Sequence, residues 1–327
     1  MIRIALLLLL STYSVASAEV VIKLGTLAPA GSTWHTLLKE MAQKWSETSG
    51  GQVSLKIFPG GVIGDEGLMV RKMQVGQIQA AAVTTVGMHD LTPEPQAVDV
   101  PLGISTYDEL DYVMAKLEPR LNAALYNKGY VAINWSDVGF VQFFSTHPMC
   151  TPAQIPSAKL FAWDGDPKSI EAWRAGGFHP VVLSSTDIIP QLATGMVDTV
   201  VAAPLYAFTA RIYQKANHVC ELRWAVLTGA TLVKREVWER IPAEVRTKLL
   251  GIAKEYGRRV ALEVRRLNED ALTQMKKQGL VIDKVEDLAG WQRIAEKGNQ
   301  VVRGGVVPAD LYDEVIRLRN ELRATHK

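Results

Sequence analysis

The segments Gly67–Gly87, GLMVRKMQVGQIQAAAVTTVG, and Asp187–Phe208, DIIPQLATGMVDTVVAAPLYAF, follow one pattern. Each reads as a short helix with apolar residues at helical spacing and a glycine stop, Gly76 or Gly195. One surface residue follows, and then a small-residue apolar strand entered through Ile78 or Val197. Glycine takes a positive φ at a helix end without a Cβ penalty. The runs Ala80–Val83 and Thr199–Ala203 lack alternation, as strands covered on both faces do. With the glycines aligned, Gln79 faces Asp198, Thr84 faces Ala203 and Thr85 faces Pro204. The simplest organisation is two similar α/β lobes, each ending a strand at a ligand crevice. Helix–glycine–strand is also a common α/β connection, so coincidence is the competing reading.

Met1–Ala18 reads as a secretory signal. Arg3 gives a positive amino end, Ile4–Leu10 an apolar core, and Ala16-Ser17-Ala18 a cleavage site. The apolar run is far shorter than the roughly 20 residues that span a bilayer, and no other stretch qualifies. Cleavage before Glu19 would leave an exported, soluble chain, and no cysteine follows the signal to carry a lipid. With 36 basic and 34 acidic side chains there is no field to hold nucleic acid. At 48% apolar residues the chain can build a large core. Cys150 and Cys220 are either a disulfide pair or two buried thiols, and are too few for a cysteine-rich metal site.

Val20–Leu27 reads as a first strand, followed by a helix capped by Ser32 or Thr33 whose apolar side holds Leu37, Leu38, Met41 and Trp45. Val53–Phe58 is a second strand, completing a βαβ unit. His35 at the helix mouth is a ligand candidate or, more simply, a cap. A helix from about Tyr107 to Leu125 leads to a strand in KGYVAIN, and the aromatic run Trp135–Phe144 is either core or a groove wall. Lys159–Trp163, a helix over Pro167–Ala175 and His179–Leu183 repeat strand–helix–strand. Leu205–Tyr213 reads as a short helix, and Asn217–Leu222 and Trp224–Val233 as strands. Pro242 to Lys277 keeps helical spacing, predicting either one helix about 50 Å long or two broken at Gly257. A helix near Leu288–Gly298 and a terminal one over Pro308–Leu322 complete the chain.

Catalytic constellations are weak. Asp164, Asp166 and His179 share a lobe, and Asp65, Glu66 and His89 can be grouped, but capping explains the turn acids. The sequence contains no HExxH, GxSxG, CxxC or phosphate-cradling glycine loop. The expected activity is binding without turnover, and neither metal nor cofactor is expected.

The ordered motifs IKLGTLAPAGSTW, KIFPGGVIGDE (Lys56–Glu66), MQVGQIQAA (Met73–Ala81), VDVP (Val98–Pro101), TPAQIPSAKLFAW (Thr151–Trp163) and LATGMVDTVVAAPL (Leu192–Leu205), with ERIPAEVR opening the long helix, resemble the solute-binding component of TRAP transporters. The resemblance covers essentially the whole mature chain. It implies two α/β lobes joined by crossing strands and by a long helix spanning both. It further implies a periplasmic protein that closes on a small organic anion and delivers it to small and large permease subunits. Lobe I is expected over residues 19–131 plus about 226–254, and lobe II over 132–225 plus about 255–327, with helix 242–278 shared. Hinge motion is expected near Val131–Asn134 and Trp224–Thr228.

Departures from the family pattern bear on the ligand. The resemblance implies one arginine two residues after Lys159, where this chain has Phe161, and another after Gly139-Phe140, where it has Val141. Val200-Val201-Ala202-Ala203 replaces an acidic or amide-rich strand end. Phenylalanine and valine cannot imitate a bidentate guanidinium. The expected contacts are therefore Trp34, Thr84 and Thr85 from lobe I, with Trp135, Phe161, Trp163, Ala203 and Tyr206 facing them. Phe143 is an aromatic neighbour. The expected solute is apolar or aromatic, with a monocarboxylate held by helix amides, Arg174 or Arg211 as the variant reading. A sensory protein serving a receptor and an exported enzyme on the same scaffold are the rival functions.

Overall fold

The computed structural model describes residues 19–164 and 167–325. The expected signal Met1–Ala18 and the candidate Asp166 lie outside the described residues. The first part of the chain runs β1 (Val20–Thr26), α1 (Thr33–Thr48), β2 (Val53–Phe58), α2 (Glu66–Gln74), β3 (Ala80–Thr84), α3 (Tyr107–Asn127) and β4 (Tyr130–Ser145). There follow β5 (Lys159–Trp163), α4 (Pro167–Ala175), β6 (His179–Leu183), α5 (Ile188–Thr194), β7 (Thr199–Ala202), α6 (Pro204–Thr209) and β8 (His218–Cys220). The chain ends β9 (Ala225–Lys234), α7 (Arg235–Trp238), α8 (Ala243–Lys277), β10 (Val281–Asp283), α9 (Leu288–Val301) and α10 (Ala309–Thr325).

The strands hydrogen-bond in the order β2-β1-β3-β9-β4-β7-β5-β6, with β8 and β10 branching from β4. β1, β2 and β3 are mutually parallel, as are β5, β6 and β7. The two parallel sets are joined through β9 and β4. β9 is antiparallel to β3 and to β4, and the last residues of β4, Gln142–Ser145, pair with β7. The repeated helix–glycine–strand units thus end in β3 and β7, one in each set. Both stop glycines take positive φ, 77° at Gly76 and 72° at Gly195.

KGYVAIN and the aromatic run after it form one 16-residue strand, where the sequence reading had treated them apart. Register shifts against β9 between Ala132 and Asn134 and between Asp137 and Gly139 break the alternation that would have marked it. Leu205–Tyr213 is correspondingly not one helix: α6 stops at Thr209, and Arg211 at φ 60° opens a separate short turn.

The long periodic segment is a single helix of 35 residues, so Gly257 does not break it. A Cβ at Gly257 would lie 2.5 Å from the carbonyl oxygen of Trp135, so the glycine lets α8 rest directly on β4. α8 gives Leu249, Ala253, Tyr256, Val260 and Val264 to the core around β1 and α1, and Ala271 and Met275 to the core around β7. It also bonds across that interface, with Trp45 Nε1 donating to the Leu249 carbonyl at 3.0 Å. Asn268 ties three elements together: its amide donates to the Val138 and Val264 carbonyls, and its oxygen accepts from the Leu205 amide at 2.9 Å.

The C-terminal segment touches both halves. α9 packs on α4, while α10 packs on α3, fixed there by Arg323 on Glu109 at 2.7 Å and Arg319 on the Gly103 carbonyl at 2.8 Å. Cys150 and Cys220 form a disulfide that joins the loop after β4 to β8. Among the described residues no helix is long and apolar enough to cross a membrane.

Candidate functional site

A cavity of about 400 Å³ lies where the two strand sets meet. Its walls include the carboxyl ends of parallel strands: Thr26 at the end of β1 and Leu27 after it, Thr84 at the end of β3, Trp163 at the end of β5, and Ala202 and Ala203 at the end of β7. Open α/β sheets bind ligands in this position.

Six of the eight residues expected to meet a solute line this cavity: Trp34, Thr84, Phe161, Trp163, Ala203 and Tyr206. Trp34 stands in the first turn of α1, behind the Ser32 cap, and its carbonyl accepts the Tyr256 hydroxyl at 3.3 Å. Thr84 donates its amide to Glu66 Oε1 at 2.9 Å and its hydroxyl to Oε2 at 2.7 Å. Ala203 is the N-cap of α6, and Tyr206 follows within its first turn. Burial and then the Glu66 carboxylate push the Tyr206 phenol up to about 12, so it stays a neutral hydrogen-bond donor.

Thr85 and Trp135 are not part of the lining. Strand alternation turns Thr85 beneath Thr84, fully buried, where its hydroxyl donates to Asp99 and lies 3.3 Å from the Thr228 carbonyl. Trp135 points instead towards α3 and donates Nε1–H to Asn122 at 2.8 Å. Phe143 is likewise core, stacked on Phe178 with ring centres 5.8 Å apart. Arg174, exposed on the last turn of α4, and Arg211 also lie off the lining. The two positions where the resemblance implies arginines, Phe161 and Val141, both face the cavity.

The remaining candidates have structural partners. His35 Nδ1 accepts the Gly31 amide at 3.0 Å, closing the α1 cap. Asp164 follows the end of β5, while His179 begins β6 beside Lys159, so they sit at opposite ends of a parallel strand pair. His89 Nδ1 lies 3.0 Å from Gln96 Oε1. Among the described residues no cluster of three or more His, Cys, Asp or Glu could hold a metal.

The expected solute contacts did not include the acids, and Glu66 was grouped only with Asp65 and His89 as a weak catalytic set. Glu66, Asp99 and Asp137 line the cavity. Burial raises the Glu66 carboxyl above its usual range, against the lowering effect of its Thr84 bonds. Burial raises Asp99 further, opposed by the Thr85 hydroxyl. Asp137 is also raised by burial, although Arg265 Nε donates to it at 2.6 Å. The signals were present in the sequence, in GDE before α2 and in VDVP, but as motifs without a stated role. Among the described residues no lysine, arginine or histidine lines the cavity.

Asp65 adds a contact between the halves. It caps α2 through the Leu68 amide at 2.8 Å, while its other oxygen accepts Ser184 Oγ at 2.9 Å and Trp163 Nε1 at 3.4 Å. The indole of Trp163 lies so close to Gly67 that a Cβ there would sit 2.9 Å from its ring.

Residues 24–302 match bacterial extracellular solute-binding protein family 7 (DctP). The C4-dicarboxylate-binding periplasmic protein DctP of Rhodobacter capsulatus is 25% identical over 265 residues, 78% of this chain and 77% of its own. Among solved structures, a TRAP periplasmic solute-binding protein from Ralstonia eutropha H16 with bound (S)-2-acetolactate superposes with a TM-score of 0.85 at 20% identity, covering 93% of this chain and 99% of that one. One from Desulfovibrio salexigens with bound orotic acid gives 0.84 at 19% identity, covering 94% and 99%. These structures share the two-lobe fold. The chain belongs to bacterial extracellular solute-binding protein family 7, a family of binding proteins and not of enzymes.

Proposed function

We propose that this protein is the periplasmic solute-binding component of a TRAP-type uptake system. It captures a small organic solute of largely apolar or aromatic character and hands it to the small and large membrane permease subunits. The observation that carries the solute class is the lining: Phe161 and Val141 stand where the family resemblance implies arginines, and no described lining residue is basic. The relatives named above bind acids, and a buried carboxylate without a cation would be poorly compensated. Trp34, Phe161, Trp163 and Tyr206 offer large, rigid apolar faces instead.

Lobe I comprises residues 19–131 with about 226–254 and the helix α10, which packs on α3, and lobe II residues 132–225 with about 255–308; helix α8 is shared. The lobes rotate about the crossing segments near Val131–Asn134 and Trp224–Thr228. Solute held by one lobe favours closure because the other lobe's contacts exist only when closed.

The test is mass spectrometry of small molecules released from freshly purified protein, followed by a thermal-shift screen. A released aromatic or long-chain apolar compound is expected, and Trp163→Ala should weaken its binding while leaving the fold intact. Release of a dicarboxylate or sugar acid would keep the binding function and refute the solute class. If nothing is released and no solute raises the melting midpoint, the binding assignment itself fails.

A further inference from the structure

The three lining carboxyls differ in how their charge is met. Asp137 is answered by Arg265, which also forks onto Asp111 and stacks over Tyr107 at 4.4 Å. Glu66 is engaged through both oxygens by the amide and hydroxyl of Thr84. Asp99 is different. Its carboxyl is held by the Thr85 hydroxyl and the Thr228 backbone, while Oδ1 is buried and makes no hydrogen bond of good geometry among the described residues. No described basic side chain lines the cavity to neutralise either Glu66 or Asp99.

A carboxylate solute would add a further negative group to a desolvated space that already holds these acids. A neutral apolar solute would leave the Glu66 and Asp99 carboxyls of the lining without a compensating charge. A protonated nitrogen meets both conditions, donating to the carboxyl and resting its charge against aromatic faces. Trp34, Phe161, Trp163 and Tyr206 supply those faces in the same cavity.

Resting on the apolar-crevice reading above, we propose that the solute is an amine-bearing compound with an aromatic or apolar body. Its nitrogen is received by the Asp99 carboxyl, and Glu66, held by Thr84 next to the Thr85 that holds Asp99, stands beside it on the same wall. This assigns Asp99 as a ligand-binding residue and makes the cavity selective for cations over anions of the same shape.

The experiment uses the purified mature chain after denaturation and refolding to strip bound solute. Calorimetric titration compares two matched sets: tryptamine, tryptophol and indole-3-acetate, and phenethylamine, 2-phenylethanol and phenylacetate. The amine of each set is expected to bind tightest, and Asp99→Asn to lower amine affinity by about tenfold or more while changing alcohol affinity much less. The ranking on the unaltered chain needs no variant, so a misfolded Asp99→Asn would not shelter the proposal. If an alcohol equals its amine, or an acid exceeds it, the amine inference falls while the apolar-crevice reading survives. If Asp99→Asn keeps the full amine preference, Asp99 loses its role. If none of the six binds and the freshly purified protein releases no apolar compound, both readings fall.

Discussion

Asp99 lies at the end of the short turn Glu94–Asp99, which carries it from the surface to the floor of the cavity beside Thr85. Burial raises its pKa, with a consequence for stability as well as for binding. A carboxyl whose folded value lies above its unfolded one stabilises the fold fully below the unfolded value, here 3.8. That contribution is lost as pH rises through the folded value. Acidification from about pH 7 towards pH 4 should therefore favour the native chain over Asp99→Asn, whose side chain does not titrate. Melting midpoints of the two proteins measured across that range should separate in favour of the native residue as pH falls. The opposite slope would mean that Asp99 is held ionised by a cation. Subtracting one protein from the other removes ordinary paired acids such as Glu109, which Arg323 holds low and which act in the reverse sense. The adjacent threonines show where sequence reasoning ends at this scale. Both Thr84 and Thr85 close the repeated unit, and the glycine alignment brought both to the crevice. Only the pleat of β3, fixed by its pairing with β9 at Thr84–Gly229, decides which of them faces the cavity.

Helix α8 was readable from its apolar spacing alone, and α1 was readable down to its buried face of Leu37, Leu38, Met41 and Trp45. Gly257 was not, because a glycine within a helix can mark either a break or a close approach, and the deciding atom is on another element. That atom is the Trp135 carbonyl oxygen, on a strand whose own length was hidden by its bulges. The same helix contains an internal control. A Cβ at Gly251 would meet nothing within 4 Å. Gly251→Ala should therefore stabilise the protein by about 0.5–1 kcal/mol, the usual helix preference for alanine. Gly257→Ala gains the same preference but forces α8 off β4, at a typical overpacking cost of about 1–3 kcal/mol. Urea unfolding should move the midpoint up for the first variant and down for the second. Equal gains at both positions would show that the α8–β4 contact yields freely.

For the molecule as a whole, the two-lobe arrangement was legible in the repeated unit, whereas the way the lobes meet was not, since it depends on side chains distant in sequence. Asp65, Ser184 and Trp163 form that meeting point. Asp65 and Ser184 do not line the cavity, so an effect of either on solute binding would have to run through the arrangement in which the lobes touch. Apparent affinity scales with the population of the binding-competent form, so a contact made only on closure strengthens binding from outside the site. A hydrogen bond to a largely buried carboxylate, partly offset by water in the open form, contributes about 1–2 kcal/mol, or roughly 5- to 30-fold in affinity. Ser184→Ala removes one donor and leaves the α2 cap in place. Asp65→Ser keeps a capping hydroxyl for Leu68 on a side chain too short to serve both halves. Each variant should weaken binding of the released solute within that range while unfolding at nearly the same urea concentration as the parent. The double variant should bind little worse than Asp65→Ser alone, because that change already removes the Ser184 contact together with the Trp163 one. Additive losses would mean that the two residues act separately. Unchanged affinity in both single variants would mean that solute contacts alone close the lobes.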